Sequence, residues 1–175
     1  MKRPKLSASG QQEGPMPRSA SRIAAVQALY QMDMAATDIA DVIDEFTSYR
    51  LEDAGNEDDS DKILAGADPT FFAEIVRGVV RLQRDIDPLV DKTLATGWRL
   101  VRVDSILRAI LRAAVFELMD RQDVPVRVVI NEYINVAHAF FSDDEPRVVN
   151  GVLDRIARQI RSGEFADKGP ETADG

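Results

Sequence analysis

Apolar residues recur at steps of three and four along most of the chain, the spacing of amphipathic helices with one buried face. The clearest stripe lies within residues 103–120 and comprises Val103, Ile106, Leu107, Ile110, Leu111, Ala114 and Leu118. Similar stripes predict helices over residues 18–35, 38–46, 69–82, 86–95, 126–137 and 145–161. No segment favours a strand, and the short connections predict a compact all-α bundle of about seven helices.

Residues that favour helix starts lie between these stripes. Asp38 and the pair Asp68–Pro69 are suitable first residues, and Asp104 in the first turn favours the helix dipole. The segment 142–146, Ser-Asp-Asp-Glu-Pro, predicts a capping sequence for the last helix. Gly151 lies inside the last stripe, so we expect it to permit close helix packing.

Composition divides the chain into one folded domain and two tails. Residues 1–17 are basic and rich in Pro, Gly and Ser with little to bury, so we expect a disordered arm. The same reasoning predicts a disordered tail over residues 163–175, leaving 18–162 as the folded domain. The acidic stretch at 52–61 predicts a long exposed loop, to which we assign no role.

Composition also excludes several classes of protein. The chain has no cysteine, hence no disulfide and no cysteine-ligated zinc. It lacks both a run of ~20 apolar residues for a membrane span and a secretory signal. These features predict a cytoplasmic protein that does not bind membranes. The net charge of −8 arises mostly from residues 38–61, so it argues against tight, indiscriminate nucleic-acid binding without excluding RNA.

The sequence contains no enzyme signature. It has neither a phosphate-binding glycine loop nor a dinucleotide fingerprint. His138 is the only histidine, so we expect no metal site and no cofactor, and we expect His138 to pack or hydrogen-bond near Tyr133 and Ala137. Such a chain should act by binding.

Several features suit a binding protein, each with a structural alternative. Arg18 and Arg22 are one helical turn apart, where they predict either an RNA contact or simply an exposed first turn. Of the adjacent Phe140 and Phe141, one ring should enter the core while the other is free to stack on a base. Two arginine stripes favour solvated or ion-paired helix faces, with RNA contact as the alternative; they are Arg77/Arg81/Arg84 and Arg108/Arg112.

Five blocks of sequence together resemble the bacterial NusB family of transcription antitermination factors. They are residues 25–30 (AVQALY), 110–118 (ILRAAVFEL), 124–125 (VP), 130–132 (INE) and 149–154 (VNGVLD). The resemblance implies an all-helical protein of two small halves that is not an enzyme. It also implies binding to single-stranded boxA RNA of ribosomal RNA operon leaders together with NusE, a small-subunit ribosomal protein. With other Nus factors, such proteins help the RNA polymerase elongation complex to pass terminators.

The resemblance also implies site residues. The implied RNA-binding residues are Arg18, Arg22, Gln27, Phe140, Asp144 and Arg147. The implied partner-binding residues, on the NusE side, are Tyr30, Arg108 and Glu117. At residues 19–21 (Ser-Ala-Ser) this chain lacks basic residues that some relatives have, and Val148 replaces an aromatic.

Two other interpretations compete with the antitermination factor. A NusB-like accessory domain occurs in RNA cytosine methyltransferases, but this chain has no cysteine for methyl transfer. A helical scaffold that binds only protein would show little dependence on salt. Whether the chain is a monomer or a homodimer stays open.

Overall fold

The computed structural model describes residues 16–52, 62–94 and 103–165, and six α-helices lie within these ranges. They are α1 (Pro17–Ala35), α2 (Ile39–Glu45), α3 (Pro69–Thr93), α4 (Ser105–Asp120), α5 (Val126–Phe140) and α6 (Glu145–Ile160). A π-helical turn, Phe46–Arg50, extends α2, and a 3-10 turn, Ser162–Glu164, follows α6. These ranges contain no strand, which confirms the all-α prediction. The predicted arm up to residue 15, the acidic segment 53–61 and the tail from 166 lie outside them.

Helix α4 is the centre of the bundle. It packs against α1 and α3 on one side and against α5 and α6 on the other. Its residues from Ala113 to Phe116 are all 0% exposed, which is unusual for an amphipathic helix and reflects neighbours on nearly every side. The predicted division into two small halves therefore takes the form of two groups of helices that share α4.

Two of the predicted helices are one. The structure joins the predicted helices over 69–82 and 86–95 into the 25-residue helix α3, which ends at Thr93 and has Pro88 inside it; residue 95 lies outside the described residues. The polar residues 83–85 interrupt the apolar stripe and suggested a break. Pro88 lies on the exposed side of α3, whereas Ile86 and Val90 are fully buried. Burying both side chains offsets the roughly 3 kcal/mol that an internal proline costs.

Aspartates begin three of the helices. Asp38 accepts a hydrogen bond from Ala40 N at 2.8 Å, and Asp68 accepts from Thr70 N at 2.9 Å. Asp104 precedes α4 and caps it in the same way. Segment 142–146 starts α6 as predicted, with Asp144 in the position before Glu145, but the Asp144 side chain makes no cap bond. The Asp144 carboxylate is left exposed.

The glycine that permits close helix packing is Gly78 rather than Gly151. Gly151 is exposed on α6, and a Cβ added there would meet nothing within 4 Å, so its predicted packing role is wrong. Gly78, on α3, is buried, and a Cβ there would collide with the ring of Phe116 on α4. The closest approach of these two helices therefore requires a residue without a side chain.

The described α-helices run from Pro17 to Ile160, close to the bounds of the predicted folded domain, residues 18–162. None of these helices is both long and apolar enough to span a membrane. At the carboxyl end, the described residues continue to Phe165, three residues past the predicted boundary. Phe165 packs against the core, and the Arg158 guanidinium lies 4.5 Å from the centre of its ring.

We expect Gly78→Ala to lower the free energy of unfolding by about 1–3 kcal/mol, because the new methyl group overpacks a core that has no free volume at Phe116. The matched control is Gly151→Ala, which should raise it by roughly 0.5–1 kcal/mol, since alanine favours a helix over glycine. Urea denaturation followed by circular dichroism measures both. Equal effects at the two positions would contradict the assignment.

Candidate RNA- and partner-binding surfaces

Arg22 lies in the core between three helices. Its Nε and Nη2 donate to Glu117 Oε2 and Oε1 at 2.9 and 2.8 Å, and its Nη1 lies 3.5 Å from Glu132 Oε2. Arg22 is 2% exposed and Glu117 0%. Burial alone would lower the pKa of Arg22, but the hydrogen bonds and charge of Glu117 raise it above its usual value. The side chain is therefore a buried cation bound by carboxylates.

This pairing corrects two sequence-based expectations. Arg22 was expected in an exposed first turn and Glu117 on a partner-binding surface, and neither is accessible in this structure. A signal was present in the sequence, because Arg22 lies four and seven residues before Val26 and Leu29 and so shares their buried face. An arginine in an apolar stripe requires a buried carboxylate, and the sequence did not indicate which one.

Aromatic rings surround the ion pair. The Arg22 guanidinium carbon is 5.1 Å from the Phe71 ring centre and 6.0 Å from that of Tyr133. Tyr133 is fully buried, and its hydroxyl makes no hydrogen bond within the described residues. Burial and the nearby Glu117 charge raise the pKa of Tyr133 well above its usual value. The hydroxyl is thus held neutral beside a charged pair.

Arg18, one turn before Arg22, is exposed. Its guanidinium carbon lies 5.0 Å from the Phe71 ring centre, and it makes no ion pair with any described residue. Arg121 approaches the same ring at 5.4 Å but is bound by Glu74 and Asp123 at 2.8 and 2.9 Å. Of the two arginines predicted at this helix start, only Arg18 is therefore available to a phosphate.

Residues 19–21 face inward. They are the positions at which the resemblance implied that this chain lacks basic residues of some relatives. Ser19 Oγ donates to Glu132 Oε2 at 2.9 Å, and Ser21 Oγ donates to Asp68 O at 2.7 Å. Ala20 and Ser21 are 0% exposed. The last two positions therefore contribute to packing against neighbouring elements, and their size is limited by burial.

Asp144 and Arg147 face an open cleft between α5 and α6. The cleft has a volume of about 330 Å³ and is lined by Ile134, His138, Asp143, Asp144, Pro146, Arg147 and Asn150. Asp144 and Arg147 are exposed, and Arg147 makes no ion pair within the described residues. His138 is also exposed, so the expectation that it packs near Tyr133 and Ala137 is wrong. Donors, acceptors and an apolar floor in one cleft suit an unstacked nucleotide.

Phe140 and Gln27 lie elsewhere, in a groove that also contains Tyr30. This groove has a volume of about 410 Å³ and is lined by Gln27, Tyr30, Gln31, Met34, Ala35, Arg50, Ile106 and Phe140. Tyr30 is 38% exposed and Met34 61%, whereas Phe140 is half-buried. Gln27 Oε1 accepts from Arg50 Nη2 at 3.2 Å. Two residues predicted to bind RNA and one predicted to bind a partner thus share one largely apolar groove.

Arg108 belongs to an ionic ladder across α1, α4 and α3. Its Nε donates to Asp33 Oδ2 at 3.0 Å, and Arg112 bridges Asp33 and Asp87 at 3.3 and 2.8 Å. The side chain of Arg108 is 16% exposed. The predicted partner-binding residue Arg108 therefore lies at the rim of the helix bundle, where it holds α4 against α1.

Nothing in this arrangement suggests metal binding, because the described residues contain no group of three acidic or histidine side chains that could hold an ion. The site instead combines a free arginine at a helix start, a polar cleft and an apolar groove. These features are suited to binding RNA and protein.

Comparisons with known proteins agree with this assignment. Residues 19–158 match the NusB family. The transcription antitermination protein NusB of Rhizobium rhizogenes is 54% identical over 144 residues, covering 82% of this chain and 88% of the relative. That of Nitrobacter hamburgensis is 54% identical over 149 residues, covering 85% and 91%.

Solved structures share the fold. T. maritima NusB is 28% identical with a TM-score of 0.68, and the alignment covers 86% of this chain and 97% of that one. A chain in the crystal structure of antitermination factors NusB and NusE in complex with double-stranded RNA has a TM-score of 0.64 at 20% identity, covering 81% and 96%.

We expect Arg22→Ala to lower the free energy of unfolding by about 3–5 kcal/mol, because it leaves Glu117 buried without a partner. The matched control Arg18→Ala, one turn earlier, should cost less than about 1 kcal/mol, the value of an exposed cation–π contact. The double variant Arg22→Met/Glu117→Leu should recover most of the loss, since it removes both charges. Chemical denaturation measures all three, and equal losses for the two single variants would refute the buried-pair assignment.

We expect Tyr133→Phe to be at least as stable as the parent protein at pH 7, because burying an unpaired hydroxyl costs about 1–3 kcal/mol. The raised pKa of Tyr133 adds a pH dependence. Above about pH 10 the unfolded chain ionises this tyrosine while the folded chain does not, so stability falls as pH rises.

The variant should lose less stability than the parent between pH 9 and 11. Tyr49→Phe is the control, since Tyr49 is 73% exposed and its hydroxyl meets water in both states. Thermal unfolding across this pH range tests both variants, and identical alkaline slopes for Tyr133→Phe and the parent would be inconsistent with a buried neutral hydroxyl.

Proposed function

The chain belongs to the NusB family, and on that premise we propose that it binds boxA RNA of ribosomal RNA operon leaders together with NusE. Its similar curated relatives are transcription antitermination proteins and not enzymes. In the proposed role the bound pair joins other Nus factors on the RNA polymerase elongation complex and promotes read-through of terminators.

The observation that carries the RNA part is the set of exposed, unpaired cations on an otherwise acidic chain. Arg18 at the start of α1 and Arg147 at the start of α6 make no ion pair with any described residue, whereas about half of the described arginines do. Helix starts also present free amides and a positive dipole end to an anion. Arg18 and Arg147 are therefore the phosphate contacts in this proposal.

Base recognition is proposed for the cleft beside Arg147. A carboxylate facing RNA repels phosphates, so Asp144 is useful only when it accepts hydrogen bonds from base edges. Asn150 adds a donor and an acceptor in the same cleft, and Ile134 supplies an apolar floor. Arg22 and Glu117 have no part in the proposal, because reaching RNA would require opening their buried pair.

The NusE contact is proposed for the groove beside Tyr30. Tyr30 and Met34 are exposed large side chains one turn apart, and Phe140 extends the apolar surface from α5. Aromatic and methionine side chains are enriched at the centres of protein interfaces. Because Gln27 and Phe140 lie in this groove, their proposed RNA contacts would occur at the edge of the NusE surface, which links the two binding events.

The experiment is fluorescence anisotropy with boxA and scrambled RNA, with and without NusE, over a salt series. We expect discrimination between the RNAs that strengthens with NusE. Arg18→Gln and Arg147→Gln should each weaken boxA binding and reduce the salt slope by about 0.7, one single-strand phosphate contact. Arg155→Gln is the control, an exposed unpaired arginine further along α6.

Tyr30→Ala separates the two partners. It should reduce the gain that NusE adds while leaving the affinity for RNA alone unchanged. Equal binding of boxA and scrambled RNA under every condition would contradict the proposed function, and sedimentation of the protein without and with NusE would show whether a homodimer forms and whether NusE displaces it.

A further inference from the structure

A row of arginines runs along the outer face of α3, and we propose that it binds phosphates of RNA flanking the boxA element. We define the basic ridge as Arg77, Val80, Arg81 and Arg84. The three arginines lie within about 60° of one another around the helix and span about 10 Å along it. All four residues are exposed. The inference rests on the proposed function, because it extends the same RNA beyond its primary site.

Two of the three ridge arginines form no ion pair within the described residues, and the third forms an exposed one. Arg77 and Arg84 contact no carboxylate among the described residues, and Asp85, which follows Arg84, is unpaired there as well. Arg81 pairs with Asp120 at 2.9 Å and not with Asp85, which lies four residues later on the same helix. The side chains of that pair are 62% and 45% exposed, so the bond is weak and exchangeable.

The ridge lies beside the surface proposed for RNA. Asp120, the partner of Arg81, is the last residue of α4, and the next residue, Arg121, lies over Phe71. Arg18 lies over the same ring, and Phe71 precedes Arg77 by six residues on α3. An RNA strand that leaves Arg18 would reach the ridge by passing the end of α4, about 9 Å along α3 and about 120° around it.

The chemistry of the ridge favours RNA over an acidic protein surface. Arginine forks bind phosphate oxygens in pairs and stack on bases, which lysine does not. Val80 is 41% exposed between the arginines and offers an apolar contact for a ribose or base. A linear row of cations along one helix can contact successive phosphates of a nucleic-acid backbone.

The test compares a minimal boxA RNA with the same RNA extended at its 5′ or 3′ end. The variant Arg77→Gln/Arg81→Gln/Arg84→Gln should bind one extended RNA roughly tenfold more weakly than the parent, with a salt slope smaller by about 2, the value of three single-strand phosphate contacts. Binding of the minimal RNA should be unchanged. The substitutions are exposed, and thermal unfolding verifies that the variant is folded.

The control is Arg127→Gln/Arg155→Gln/Arg158→Gln, which removes the same charge from another face. It also matches the ridge in pairing, because Arg127 and Arg155 contact no carboxylate among the described residues while Arg158 forms an exposed pair with Asp154. Equal losses in the ridge and control variants would mean that only net charge matters, and would overturn the inference.

Two further outcomes would also overturn it. If the ridge variant binds every extended RNA like the parent, the arginines are solvated. If it loses affinity only when NusE is present, whatever the RNA length, the ridge contacts protein. Failure of the proposed function would give a different result from failure of this inference. The parent protein itself would then bind boxA and scrambled RNA equally.

Discussion

The buried pair of Arg22 and Glu117 is the constraint on which the rest of the structure depends. It joins α1 to the central helix α4, and Glu132 adds α5 to the same centre. Both charges are removed from water, so each requires the other, and the bidentate geometry allows only one register of α1 against α4. That register places Arg18 outside, over Phe71, and directs Tyr30, two turns after Arg22, to the opposite end of the helix.

The position of α1 also separates the proposed RNA contact at Arg18 from the groove beside Tyr30. Several arginines of the bundle are bound internally; Arg108 and Arg112 hold α1, α4 and α3 together, and Arg121 holds the corner before α5. The exposed arginines that remain for a ligand are spread over different faces of an acidic protein. A protein of net charge −8 should bind RNA modestly and with strong salt dependence, which explains why a protein partner is useful to the proposed function.

Particular residues show how far the sequence predicts the site. Arg18, Asp144 and Arg147 are exposed as the resemblance implied. The resemblance also implied binding roles for Arg22 and Glu117, yet these two residues bind each other in the core. Phe140 and Gln27, which the resemblance grouped with the RNA residues, lie with Tyr30 instead. A sequence motif identifies that a residue matters without saying which neighbour it faces.

The sequence by itself determined the all-α class, the positions of most helices and the aspartate caps at Asp38 and Asp68, because apolar periodicity and capping are local properties of a few consecutive residues. Only the tertiary structure decided the rest: that α3 continues through Pro88, that Gly78 and not Gly151 allows close packing, and which charges are buried. Each of these depends on contacts between residues distant in sequence. The energy of such contacts arises when the helices pack, so no local pattern contains it.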